Sequence, residues 1–151
     1  MKTNYNSQSE VIPVINGVLY PDERIERYII RTDESGCRTV SKDGADADIP
    51  PENIVETTNY VNDECVCEDI DVRFTCGEGS YGGDGFVLAE SDKSAQMMWL
   101  ISFDDSNPFV KLERNGGFLS VTNNCGEVWC INITDIYNIK ISIEKQSRYV
   151  V

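Results

Sequence analysis

Cys65 and Cys67 stand one residue apart, and eight residues separate Cys67 from Cys76. Three thiols so spaced offer ligands to zinc, and Cys125 or Cys130 would supply a fourth across a hairpin. C-x-C is tighter than the two-to-four-residue gaps usual in structural zinc sites, and buried cysteine without a ligand is the plainer reading. Carboxylates crowd the same stretch at Glu64, Glu68, Asp69 and Asp71. Two carboxyls in unequal environments, one kept protonated by burial, perform acid–base work in glycosidases. Acids massed in a polar segment read instead as hydrated groups. Asp43, Asp46, Asp48 and Glu52 lack the ligand offsets, the central glycine and the terminal Glu of an EF-hand loop.

Gly77-Glu78-Gly79-Ser80-Tyr81-Gly82 matches the letters of the dinucleotide pattern G-x-G-x-x-G. That pattern works only where a helix N-terminus follows to receive the pyrophosphate. Here another glycine-rich turn and a strand follow, and Glu78 and Asp84 repel phosphate. The chain has no histidine, which removes the commonest general base, Ser-His and Cys-His nucleophiles, and every His-containing zinc site. No cofactor is assigned. Asn132-Ile133-Thr134 is a glycosylation sequon by pattern alone.

Charge is segregated. Residues 43–92 hold 14 acids and one base, Arg73, whereas residues 1–42 and residues 93–151 each hold six acids and six bases. The formal net charge of −13 therefore belongs to one segment. A field so directed steers a cationic partner and repels phosphate, which argues against direct nucleic-acid binding. Apolar content of 40%, with seven Tyr, five Phe and two Trp, argues for a folded core over an acidic tail.

Period-two patterning must position these residues. Ile12–Ile15 and Val18–Tyr20 flank Asn16-Gly17, which predicts a type I′ hairpin. Tyr28–Arg31 and Cys37–Val40 flank Asp33-Glu34-Ser35-Gly36, a second hairpin. Pro21 to Glu26 suggests a short helical turn. In Val66–Cys76, Ile70, Val72 and Phe74 alternate with Asp69, Asp71, Arg73 and Thr75, which predicts one strand with its carboxylates in water. A flexible loop from Gly77 to Gly85 follows, and a further strand starts at Phe86. Met97–Ile101 is apolar on both parities, as in a central strand covered on both faces, with a buried helix as the alternative. Val110 and Leu112 are expected inward. Turns at Asn115-Gly116 and Asn123–Gly126, with Trp129, Ile131 and Ile133 on one face and Ile139, Ile141 and Ile143 alternating, predict an antiparallel meander. The expectation is one mainly β domain over residues 1–151, with antiparallel sheets and at most one or two short helices; α+β is the alternative. Its parts are N-terminal hairpins (1–42), an acidic segment with one strand and a glycine-rich loop (43–92) and the meander (93–151).

The polar N-terminal residues lack the apolar core of a signal peptide, and no apolar run spans a bilayer. A cytoplasmic protein with reduced cysteines is expected. Trp99-Leu100-Ile101-Ser102-Phe103-Asp104-Asp105-Ser106-Asn107-Pro108-Phe109, with Trp129 and Ile139-Lys140-Ile141, resembles the strand, S-N-P-F turn and meander layout of bacterial immunity proteins from polymorphic and contact-dependent growth inhibition toxin systems. The resemblance implies a dedicated, non-catalytic inhibitor of one toxin domain, often a nuclease; it assigns no functional residues. The residues themselves suggest an acidic surface for a basic toxin domain, formed by Glu64, Glu68, Asp69, Asp71, Glu78, Tyr81 and Asp84, with Tyr60, Phe74 and Phe86 interleaved. The alternatives are a metal-dependent enzyme or metal-binding regulator using Cys65, Cys67 and Cys76 or the carboxylates, and a β-type carbohydrate- or peptide-binding module with an exposed Trp99 or Trp129.

Overall fold

The computed structural model describes residues 4–43 and 54–143. Most of the acidic link, with Asp46, Asp48 and Glu52, lies outside the described residues. The protein is mainly β: thirteen strands and one 3-10 turn, Glu68–Ile70, form its regular elements among the described residues. Every pairing is antiparallel. The strands are β1 (Val11–Val14), β2 (Gly17–Leu19), β3 (Ile25–Thr32), β4 (Arg38–Lys42), β5 (Val55–Thr58), β6 (Tyr60–Cys67) and β7 (Val72–Glu78). There follow β8 (Gly85–Ser91), β9 (Met97–Phe103), β10 (Phe109–Asn115), β11 (Phe118–Asn123), β12 (Glu127–Asn132) and β13 (Asp135–Ile143).

A seven-stranded sheet of order β4-β3-β2-β9-β8-β7-β6 is the centre of the molecule. Its first face packs on the four-stranded meander β10-β11-β12-β13, and its second lies under a two-stranded ribbon, β1-β5. This arrangement explains why Met97–Ile101 is apolar throughout. Trp99 and Ile101 enter the core beneath the meander, while Met97 and Leu100 enter the core beneath the ribbon. The pairing of β8 with β9 jumps from Ala89↔Trp99 to Glu90↔Met97, so Met98 is a bulged residue; it is 44% exposed. Trp129 is the hub of the first core, 5.3 Å from Phe103 and 5.2 Å from Phe109 between ring centroids, the latter edge-on. Both tryptophans are buried.

The second hairpin forms as expected. Asp33 accepts hydrogen bonds from the Ser35 and Cys37 amides, and Gly36 adopts a positive φ of 90°. The meander also forms, with Trp129, Ile131 and Ile139 inward.

Five local expectations are corrected. Ile12–Ile15 and Val18–Tyr20 do not pair with each other: β1 pairs with β5, and β2 with β3 and β9. Asn16 takes a left-handed conformation (φ 53°), and there the chain crosses from ribbon to sheet. Ser102 of β9 holds the crossing, accepting the Ile15 N–H and donating to the Pro13 carbonyl, both at 2.8 Å. Pro21–Glu26 forms a tight turn and the start of β3, closed by the Glu23 amide on the Tyr20 carbonyl, and contains no helix. Val66–Cys76 is the tip of a hairpin and not one strand, so Ile70 points to water while Val72 and Phe74 stay in the core. The acidic segment accordingly carries four strands, β5 to β8, where the sequence suggested one, with a further strand starting at Phe86 that the structure shows as β8. Val110 is exposed, because a register shift between Phe109 and Lys111 turns Phe109 inward in its place.

Candidate functional site

Two turns at opposite ends of β7 divide the predicted contact residues. Glu64, Glu68, Asp69 and Asp71 lie toward the β6–β7 turn, whereas Glu78, Tyr81 and Asp84 lie toward the β7–β8 turn. Seven strand residues separate the turns, about 23 Å at about 3.3 Å per residue. One small contact patch cannot hold all seven.

At the β6–β7 end the carboxylates are organised by two arginines. Arg73 reaches Glu64 at 2.8 Å and Asp92 at 3.1 Å, and Arg114 of β10 reaches Asp69 at 2.6 Å. The Arg114 hydrogen bond, assisted by its charge, holds the Asp69 carboxyl below its ordinary range. Asp71 closes the turn in a left-handed conformation (φ 52°), which Asp tolerates better than most residues. It accepts hydrogen bonds from the Ser91 hydroxyl at 2.7 Å and the Lys93 amide at 3.0 Å, and the Ser91 bond chiefly lowers its pKa. Glu68 alone of these four has no side-chain partner among the described residues. The bonds to Asp69 and Asp71 favour their ionised forms, so neither is held protonated as a general acid would be.

At the other end, Glu78 accepts from Asn62 at 3.1 Å, and Tyr81 is exposed, its hydroxyl donating to the Glu56 carbonyl. Asp84 is 2% exposed, and neither carboxylate oxygen has a hydrogen-bond partner among the described residues. It cannot touch a partner protein from there. The backbone is tight around it: a Cβ on Gly79 would stand 2.1 Å from both Asp84 Oδ2 and Thr57 Oγ1. Of the interleaved aromatics, Tyr60 and Tyr81 are exposed, while Phe74 and Phe86 belong to the two cores.

The Cys65 and Cys67 sulfurs lie 3.8 Å apart, on one face of β6. Burial pushes the Cys76 thiol up to about 12, and burial followed by the neighbouring Cys67 raises that of Cys65. Both shifts oppose the thiolate a metal needs. Among the described residues no three Cys, Asp or Glu side chains converge as a metal site. Nor is any helix there long and apolar enough to cross a membrane.

A cleft that the sequence did not signal opens between the ribbon and the seven-stranded sheet. Its volume is about 360 Å³. Val14, Ile15, Ile25, Ile54, Val55 and Tyr81 supply its apolar walls, and Asn16, Arg27 and Asp104 its polar groups. Arg27 follows Ile25 at the two-residue spacing of β3, an ordinary strand pattern. The cleft exists only because β1 leaves β2 for β5.

In comparisons with protein-family models, with curated proteins and with solved structures, nothing matches this chain.

Proposed function

We propose that the protein is a non-catalytic immunity protein that neutralises a basic toxin domain through its β6–β7 hairpin. One observation carries this reading: the hairpin presents apolar and acidic side chains together on an edge strand, β6, and on the turn that follows it. Val66 and Ile70 are 43% and 40% exposed, and Glu64, Glu68 and Asp69 are exposed beside them. Tyr60 and Val61, 53% and 44% exposed, extend the apolar edge to the far end of the strand, opposite Glu78 and Gly77. Apolar side chains held in water on an edge favour association, and carboxylates around them steer a cationic partner and reject anionic ones. Arg73 and Arg114 hold Glu64 and Asp69 in place before binding, which reduces the side-chain entropy lost on association. A nuclease domain is cationic because it must hold phosphate, so this surface complements its cleft or the approach to it.

The test is co-expression with the toxin domain encoded beside the gene. Growth rescue is expected, together with a complex whose association slows as salt shortens the Debye length from about 10 Å at 0.1 M to about 3 Å at 1 M. A Glu68→Lys, Ile70→Asp double variant should lose rescue while keeping its thermal midpoint. Full rescue by that variant removes the hairpin from the interface, and a neighbouring product that neither binds nor kills overturns the function.

A further inference from the structure

We infer that the cleft between the β1-β5 ribbon and strand β3 is a binding site for a small monocarboxylate carrying an apolar chain, with Arg27 as its anchor. Arg24, Arg38, Arg73 and Arg114 all form ion pairs, and Arg31, which forms none with the described residues, is exposed to water. Arg27 forms none with the described residues, although it is half-buried and its Nε is shut off from water without a hydrogen-bond partner. A guanidinium partly stripped of water and left unpaired is costly, and a carboxylate relieves that cost through two parallel N–H···O bonds. In a chain of net charge −13, an unpaired cation in a cleft is where a small anion can settle.

The walls define the rest of the ligand. Ile15, Ile25 and Ile54 are aliphatic, and the volume lies at the small end of the range for ligand pockets, which suits a short hydrocarbon chain. Asp104 shares the cleft but makes no ion pair with Arg27; its amide N–H already donates to Asn16 Oδ1 at 3.0 Å. The Asp104 carboxylate opposes a second negative charge, so selection favours one carboxylate over phosphates and dicarboxylates. This site is separate from the hairpin surface, and each stands or falls without the other.

Octanoate, 1-octanol and octyl phosphate are the probes, read by amide chemical shifts of the ¹⁵N-labelled full chain. Octanoate should shift Asn16, Ile54, Tyr81 and Asp104, and octanol should bind about tenfold more weakly for want of the charged hydrogen bonds. Arg27→Gln should weaken octanoate about tenfold and leave octanol unchanged, while Arg27→Lys should fall between, since it keeps charge and loses the fork. Asp104→Asn should tighten octanoate and narrow its advantage over octyl phosphate. The proposal fails if octanoate leaves these amides unmoved, if octanol binds the wild-type protein equally well, or if the Arg27→Lys protein binds octanoate as the wild type does. The two wild-type comparisons decide the matter even if Arg27→Gln does not fold.

Discussion

Arg38 on β4 grips Glu127 on β12 through two parallel bonds, Nη2 to Oε1 at 2.7 Å and Nε to Oε2 at 2.9 Å. The residues are 89 positions apart, and the pair joins an edge of the seven-stranded sheet to the meander. Arg38 also donates to the Asp105 and Ser106 carbonyls, and Glu127 accepts from Asn123, so few of their polar atoms lack partners. With side chains 15% and 13% exposed, this is a latch with real desolvation on both sides.

Arg38→Gln or Glu127→Gln should each lower stability by about 2–3 kcal/mol, because each leaves a partly buried charge unpaired. The double variant should lose less than both together, and urea denaturation of all four proteins measures the coupling. A coupling near zero would discard the latch. The Arg38 hydrogen bond holds the Glu127 carboxyl below its ordinary value, so its stabilisation is complete above the ordinary carboxylate range and fades as pH falls through the depressed value. Glu127→Gln should therefore flatten the acid limb of the stability curve.

Alkali should unfold the protein. Burial raises the pKa of Cys76 to about 12, and burial first also raises Tyr5, Tyr20 and Tyr28 above ordinary tyrosine. Each group ionises more readily in the unfolded chain, so stability is complete below the unfolded values and falls as pH climbs from about 9 toward 12. Thermal midpoints across that window check this, and a flat profile would refute it. In native protein at pH 8, a thiol reagent should find exposed Cys37 and Cys125 first and buried Cys67 and Cys76 last.

Ser102→Ala should cost about 1–3 kcal/mol, because it orphans both the Ile15 N–H and the Pro13 carbonyl where the ribbon joins the sheet. Hydrogen exchange supplies a local readout. The Ile15 amide should exchange faster in the variant, while amides in the meander lose only what the global change requires.

Asp84→Asn should raise stability by about 1 kcal/mol, since it replaces a buried carboxyl that has no hydrogen-bond partner among the described residues and presents an amide donor close to Thr57 Oγ1. Gly79→Ala should do the reverse, driving a methyl group into both side chains. Chemical denaturation of the two variants decides the matter; a destabilised Asp84→Asn protein would mean that the carboxylate has a role as an anion.

Strand content, the turn at Asp33–Gly36, the meander and the two-faced burial of β9 at Met97, Trp99, Leu100 and Ile101 were legible because they rest on local chemistry. Alternating polarity and turn residues act within a few positions of one another. Pairing is another matter. Asn16-Gly17 satisfies a hairpin's local needs, yet β2 finds β3 and β9 instead, and a serine 87 residues away secures the exit. Register shifts at Met98 and Val110 reversed the inward parity in ways that no local pattern records.

Chemistry followed the same division. Sequence alone determined that the charge sits in residues 43–92, that no histidine is available and that the chain is mainly β, because these are properties of composition and short-range pattern. Only tertiary structure decided that Asp69 meets Arg114 across 45 residues, that Asp84 is sealed beneath Gly79, and that Arg27 faces a cleft without an ion-pair partner among the described residues. A side chain's charge is written in its type, but its solvent and its counter-charge come from strands paired far along the chain.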